Sequence, residues 1–192
     1  VTNDRYRLWS NKPTLGDFST EFENRNPEKP PEGAWEQCEA VCGTWSYGGP
    51  ELACKSTGYI LDRMIRNRAW HGNYLPSFGP RADGTMAPDF YSRCAELAEW
   101  MRHSGESVRG TVPIKTLSHS SAPATRRDKT WYLHLLGYER SAEVRGQSRL
   151  LTATRLSTGQ PMKIEQDGGV TRVTLPIGLR SELDEVVKLQ FE

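Results

Sequence analysis

The chain has 192 residues, with 25 Lys and Arg against 24 Asp and Glu and a formal net charge of +1. That length holds one domain or two small ones, and the balanced charge argues against a dedicated nucleic-acid binder. No run nears the roughly 18 apolar residues of a membrane-spanning helix, and six Trp, seven Tyr and five Phe are too many aromatics for a disordered chain.

The sequence opens Val1-Thr2-Asn3-Asp4-Arg5 with no charged start followed by an apolar stretch, so no signal peptide is visible. Such a start fits either a processed chain or a piece of a longer protein. Residues 1–37 are rich in Pro, Asn, Glu and Arg. They read as one long loop, with a short strand possible at residues 1–4. A loop of that length inside a compact domain is usually functional. Residues 38–43 form a short apolar run closed by Gly43 and are expected to be a strand. Residues 44–50 are a Gly-rich loop holding Trp45 and Tyr47.

Residues 56–70 then show helical spacing, with Tyr59, Ile60, Met64, Ile65 and Ala69 on one face and Ser56 as N-cap. Gly72 is expected to end this helix. Residues 73–78 read as a second strand, followed by turn residues at Gly79, Pro80, Asp83 and Gly84. Pro88 suits the first turn of a second helix, whose spacing runs through Phe90, Cys94, Leu97, Ala98 and Met101 to Gly105. Strand–helix–strand–helix over residues 38–104 is the pattern of a parallel α/β sheet.

The character changes after that. Residues 115–129 are polar and read as a boundary. Short runs follow at 131–136, 150–153, 162–165, 170–175 and 186–191, punctuated by Gly, Asp and Pro. Partial alternation suggests half-buried antiparallel strands and a small β-sandwich.

Few residues announce chemistry one at a time. Glu21 and Glu23 sit beside Phe22 in the long loop. A carboxyl against aromatic surface can have its pKa raised and act as a general acid, whereas most acidic loop residues are simply solvated. Arg5 can hold a ligand hydroxyl or form a surface ion pair. Trp45 with Tyr47 can make an apolar platform of the kind sugars use, or pack inward. The four His are scattered without ligand spacing, so no metal is expected. Cys38, Cys42, Cys54 and Cys94 lack the paired spacing of a zinc site, and the expectation is buried free thiols.

Taken together, these residues resemble one family. Asn3-Asp4-Arg5, Gly16-Asp17-Phe18, Glu23-Asn24-Arg25-Asn26-Pro27, Trp35-Glu36-Gln37-Cys38 and Thr44-Trp45-Ser46-Tyr47 follow the motif order of the α-L-fucosidases of glycoside hydrolase family 29. Residues 72–85 resemble the family's G-G-N-L-L-L-N-x-G-P-x-x-D-G stretch, and Glu99-Trp100 with residues 105–111 resemble a further segment. The collinear set, not any single motif, carries the resemblance.

The resemblance implies an α/β plus all-β chain. Residues 1–111 would be the C-terminal part of a (β/α)8-like catalytic barrel, and residues 112–192 a C-terminal antiparallel β-sandwich. A full barrel needs roughly 250 residues, so the earlier strands are expected to be missing. The implied activity of the parent is retaining, exo-acting release of L-fucose. Glu23 would be the acid/base, with Glu21 as the fallback, while Arg5 and Trp45 would contact the sugar. The nucleophilic Asp of the family precedes the Asn3-Asp4-Arg5 motif, so the chain alone is expected to be inactive. The implied partner is a fucosylated glycan or glycoconjugate, with no cofactor, nucleic acid or membrane. A secreted, periplasmic or lysosomal location would suit the family.

His71 for Gly, Pro76 for Leu, Ser77 for Asn and Ser46 for Gly depart from the family pattern. They motivate the alternative of a non-catalytic carbohydrate-binding relic. Pro76 cannot donate a ladder hydrogen bond and is expected at a sheet edge or bulge.

Overall fold

The computed structural model describes residues 16–50, 52–114, 119–137, 139–146, 149–176, 178 and 183–192. The strand expected at residues 1–4, and Arg5, lie outside them. The first half holds a three-stranded parallel sheet in the order β1-β2-β3, with β1 Ser19–Glu23, β2 Trp35–Ala40 and β3 Gly72–Ser77. Helix α1, Thr57–Ala69, joins β2 to β3, and α2, Pro88–Ser104, follows β3 and ends in a 3-10 turn at Gly105–Ser107.

Local chemistry explains the helix boundaries. The Ser56 hydroxyl accepts the Tyr59 N–H at 3.2 Å and caps α1. Pro88 opens α2, where its missing N–H costs nothing. Helix α1 ends at Ala69, one residue before the end expected for it. The chain reverses through His71 at φ 67, and Gly72 already belongs to β3. A Cβ on Gly72 would lie 2.3 Å from the Trp35 indole, so this glycine makes room for a ring.

Strand β1 corrects the reading of residues 1–37 as loop. Four of its five residues pair with β2, from Ser19 opposite Trp35 to Glu23 opposite Cys38. The polar sequence Ser-Thr-Glu-Phe-Glu hides the strand because hydrophobicity is not what buries it. β2 also starts three residues earlier than the apolar run suggested. Pro76 sits on β3, which is the edge strand among the described residues, so the missing donor interrupts no ladder.

The second half consists of two antiparallel sheets. Strands β4 Val112–Pro113, β5 Ala124–Arg127, β6 Thr130–Leu135, β8 Leu150–Arg155 and β11 Glu185–Phe191 form one, in the order β4-β5-β6-β11-β8. Strands β7 Ser141–Arg145, β9 Ile164–Asp167 and β10 Val170–Thr174 form the other, in the order β7-β10-β9. Trp131, Leu133, Leu135, Leu189 and Phe191 of the larger sheet meet Ala142, Val144 and Val173 of the smaller in one apolar core. The opposite face of β6 and β11, with Tyr132 and Val186, packs on Leu61, Ile65 and Trp100 of the two helices. Burial on both faces is why β6 reads as a nearly continuous apolar run, whereas β11 alternates at Lys188 and Gln190. Trp100 Nε1 donates to the Asp184 carbonyl at 3.0 Å, and Lys188 pairs with Glu106 at 2.9 Å, across the same junction.

Cys42 and Cys54 are joined in a disulfide, which overturns the expectation of free thiols for this pair. The two cysteines flank one loop whose ends are already held together, since Lys55 N–H donates to the Val41 carbonyl at 2.8 Å. Cys38 and Cys94 are not in a disulfide and are half-buried rather than buried.

Candidate active site at the carboxyl ends of the parallel strands

In parallel sheets, side chains that act on ligands gather beyond the carboxyl ends of the strands, where the connecting loops leave. Glu23 is the last residue of β1, exposed, and in register with Cys38. Thr20 lies one step lower on that face and donates its hydroxyl to Glu36 at 2.9 Å. Asn73 stands opposite Glu36 on the other side, and Leu75 opposite Cys38. The face therefore carries Thr20, Glu36 and Asn73 in one layer and Glu23, Cys38 and Leu75 in the next. Leu75 is 50% exposed, so this layer is not sealed by the described residues.

The register contains a bulge. Thr20 pairs with Glu36 and Phe22 pairs with Gln37, so Glu21 is the extra residue. Its side chain lies outside the described set. A bulge shifts every later side chain by one step, and this one turns Glu23 onto the face shared with Glu36. Asn24, the next residue, is left-handed at φ 53. Its N–H donates to the Cys38 carbonyl at 3.1 Å, and its Oδ1 accepts the Ala40 N–H at 3.0 Å. The end of β1 is thus clamped to the end of β2.

The loop after β2 carries Trp45, which is 44% exposed and takes no part in the core. Tyr47 is half-buried, with the Arg81 guanidinium 5.8 Å from its ring centre. Glu23 and Trp45 are thereby brought to the same end of the sheet. Arg5 lies outside the described residues, so the structure does not bring it to them. Glu36 and Thr20 share the face of Glu23, and single-residue reasoning does not pick them out. The signal available was the alternation in Trp35-Glu36-Gln37-Cys38-Glu39, which puts Glu36 and Cys38 on one face and Trp35, Gln37 and Glu39 on the other.

That other face is buried against α1 and fixes β2. Asn67 Nδ2 donates to Gln37 Oε1 at 2.7 Å, and Trp35 Nε1 donates to the Trp70 carbonyl at 3.1 Å. Glu39 is fully buried and accepts from Lys55 Nζ and Tyr59 OH, both at 2.5 Å, and from Tyr74 OH at 2.9 Å. Burial works to raise its carboxyl, but the hydrogen bonds outweigh it and hold Glu39 below the usual range. Burial, followed by the Glu39 charge, pushes the Tyr74 hydroxyl up. This cluster is scaffolding beneath the site face.

A cavity of about 840 Å³ opens at the other end of the strands. Ala34 before β2, Trp70 and His71 before β3, Ile114 and Glu139 are on its wall. Neither Glu23 nor Trp45 is on its wall.

A family model described as "Alpha-L-fucosidase" matches residues 1–106. The chain belongs to the α-L-fucosidase family. The tissue α-L-fucosidase of Rattus norvegicus is 25% identical over 165 residues, which is 82% of this chain and 35% of that protein. The α-L-fucosidase of Dictyostelium discoideum is 30% identical over 118 residues, 59% of this chain and 25% of that protein. Among solved structures, α-L-fucosidase isoenzyme 1 from Paenibacillus thiaminolyticus superposes with a TM-score of 0.79 at 21% identity, covering 93% of this chain and 46% of that one. A family 29 α-L-fucosidase from Bacteroides thetaiotaomicron, trapped as a covalent intermediate with 2-fluoro-fucosyl fluoride, gives 0.79 at 22% identity, covering 98% and 48%. The fold of this chain is therefore that of one part of a family 29 fucosidase. The chain spans less than half the length of these relatives.

Proposed function

We propose that the chain is the C-terminal part of a retaining, exo-acting α-L-fucosidase that releases L-fucose from fucosylated glycoconjugates. Residues 1–111 form the last part of a (β/α)8-like barrel and residues 112–192 a β-sandwich that braces it. Glu23 is the acid/base, and Arg5 and Trp45 hold the sugar. The nucleophilic carboxylate comes from polypeptide outside these 192 residues. The observation that carries this reading is Glu23 at the carboxyl end of a parallel strand, within the stretch matched by the family model.

The chemistry needs two carboxyl groups. Retaining glycosidases set them about 5–5.5 Å apart on either side of the scissile bond. Glu23 gives its proton to the leaving glycosidic oxygen as the nucleophile attacks the anomeric carbon. It then takes a proton from water, and the hydroxide attacks the same carbon and frees the nucleophile. Trp45 offers an apolar surface to the C–H face of the sugar, and Arg5 donates to its hydroxyls.

Two measurements test this. The isolated chain should not hydrolyse an aryl α-L-fucoside, and turnover by it would overturn the two-part site. In a protein that carries the rest of the barrel, Glu23→Gln should slow natural substrates by roughly 10²–10⁴-fold and spare substrates with good leaving groups. An unchanged rate would move the role to Glu21. The departures at His71, Pro76 and Ser77 from the family pattern favour a second reading, a non-catalytic fucose binder, which predicts binding without hydrolysis in the complete gene product.

A further inference from the structure

The Trp45 loop has almost no regular structure of its own. It contains Gly43 at φ 78 and Gly49 at φ 111, and among the described residues from 43 to 55 none belongs to a helix or strand. A segment with that composition would ordinarily sample many shapes. Three features oppose this.

The first is the Cys42–Cys54 disulfide, which closes a segment of sequence separation 12. Both of its ends are anchored. Val41, next to Cys42, donates its N–H to the Ser77 carbonyl of β3 at 3.1 Å and accepts from Lys55, next to Cys54. The second is Gly79. A Cβ there would lie 2.2 Å from the carbonyl carbon of Ser46 and 2.2 Å from the nitrogen of Tyr47. The loop backbone rests directly on the turn after β3, and only glycine permits that approach. The third is Leu52, which fills the inside of the loop. A Cβ on Gly48 would lie 2.2 Å from its Cδ1. With Phe78 and Phe90 it leaves a residual space of only about 10 Å³ behind the loop. All three act on the backbone of the loop and none engages the Trp45 ring, which stays 44% exposed.

We propose that the Cys42–Cys54 disulfide and Gly79 are positioning elements of the sugar site, holding the loop so that Trp45 stands ready beside the carboxyl ends of β1 and β2. This rests on the reading of Trp45 as a sugar platform. The disulfide limits the states the loop can reach, and Gly79 supplies the seat. A ligand then meets an ordered ring and does not bear the entropy of ordering it. Because disulfides persist in oxidising compartments, the proposal also ties assembly of the site to such a compartment.

The test uses the 192-residue chain and methyl α-L-fucoside, with saturation-transfer NMR to detect weak binding. Wild type should transfer saturation to the sugar C6 methyl, and Trp45→Ala should lose it. The double variant Cys42→Ser/Cys54→Ser and the single variant Gly79→Ala should each lose at least threefold of the signal, with unchanged far-UV circular dichroism. Chymotrypsin should also cut the double variant between residues 43 and 53 at least tenfold faster than wild type. Undiminished transfer in the double variant, or cutting at the wild-type rate, would overturn the positioning role and leave the sugar reading intact. Absence of transfer in wild type would instead remove the sugar reading, and the positioning role with it, whatever the protease shows.

Discussion

The amide oxygen of Asn24 accepts the Ala40 N–H at 3.0 Å and so ties the residue after Glu23 to the end of the neighbouring strand. This bond and the left-handed backbone at φ 53 depend on the same side chain. Asn tolerates that conformation better than other non-glycine residues because its short polar side chain can bond locally.

Asn24→Ala should therefore cost about 1–3 kcal/mol, combining an unpaired Ala40 N–H with left-handed strain. Asn24→Asp keeps an acceptor and much of the conformational preference and should be close to wild type. Asn24→Gly keeps only the conformation and should fall between them. Denaturant unfolding of the three variants checks the order. An Asp variant as weak as the Ala variant would mean that the hydrogen bond is not what holds the strand end.

Glu39 gives a pH-dependent prediction. Its folded carboxyl sits below the ordinary value of 4.5, held there against burial by Lys55, Tyr59 and Tyr74. A carboxyl depressed by folding stabilises the fold at pH above its unfolded pKa, and that stability is lost as pH falls through the folded value. Arg63 Nε also lies 3.7 Å from the Glu39 carboxylate, so Glu39→Gln leaves the cations of Lys55 and Arg63 beside a neutral group. Removing one partner of a buried pair costs roughly 3–5 kcal/mol, and Lys55, whose side chain is one-third exposed, moves the expectation toward the lower end. The gap between wild type and Glu39→Gln should be widest near pH 7 and narrow below about pH 4.5. A gap independent of pH would show that the loss is packing alone.

Much of this architecture could be read from residue order, and the exceptions have definite causes. Ser56 and Pro88 marked the helix starts because capping and proline chemistry are local. Strand β1 escaped because Glu21 and Glu23 suggest a loop, and because a bulge breaks its alternation. Strands β5 and β7 escaped because their outward residues are charged. Arg172 of β10 pairs across the sheet with Glu143 of β7, which also pairs with Arg145 on its own strand, and no single segment displays the cross-strand pair. The Cys42–Cys54 bridge escaped because four cysteines allow several pairings and spacing does not choose among them. On the candidate site face, the motif is what singles out Glu23, whereas Glu36 becomes visible only once the register aligns it with Thr20.

Gly72 provides a packing test. The space its Cβ would need is occupied by the indole of Trp35, 2.3 Å away, and that ring is buried and hydrogen-bonded to the Trp70 carbonyl. A ring held on both sides cannot swing aside as a flexible chain end would. Gly72→Ala should cost about 1–3 kcal/mol as overpacking, or some 2–12 °C in melting temperature for a chain of this size. Pairing it with Trp35→Phe, which shortens the ring system at that point, should recover part of the loss. A neutral Gly72→Ala would show that β2 and β3 shift easily against α1.

His71 offers the opposite sign. It joins α1 to β3 at φ 67, where an L side chain is strained, and its ring is exposed. The α-L-fucosidase pattern has glycine at this position, and the left-handed turn supplies the physical reason: only glycine adopts that φ without a Cβ penalty. His71→Gly relieves roughly 1–2 kcal/mol of strain and loses part of it to the greater freedom of the unfolded chain. The net expectation is a stabilisation of about 0.5–1 kcal/mol, read as a higher urea midpoint with an unchanged slope. His71→Ala, which keeps the strained backbone and removes the ring, should gain nothing. If His71→Ala stabilised the chain as much as His71→Gly, the imidazole and not the backbone would be the source of the penalty.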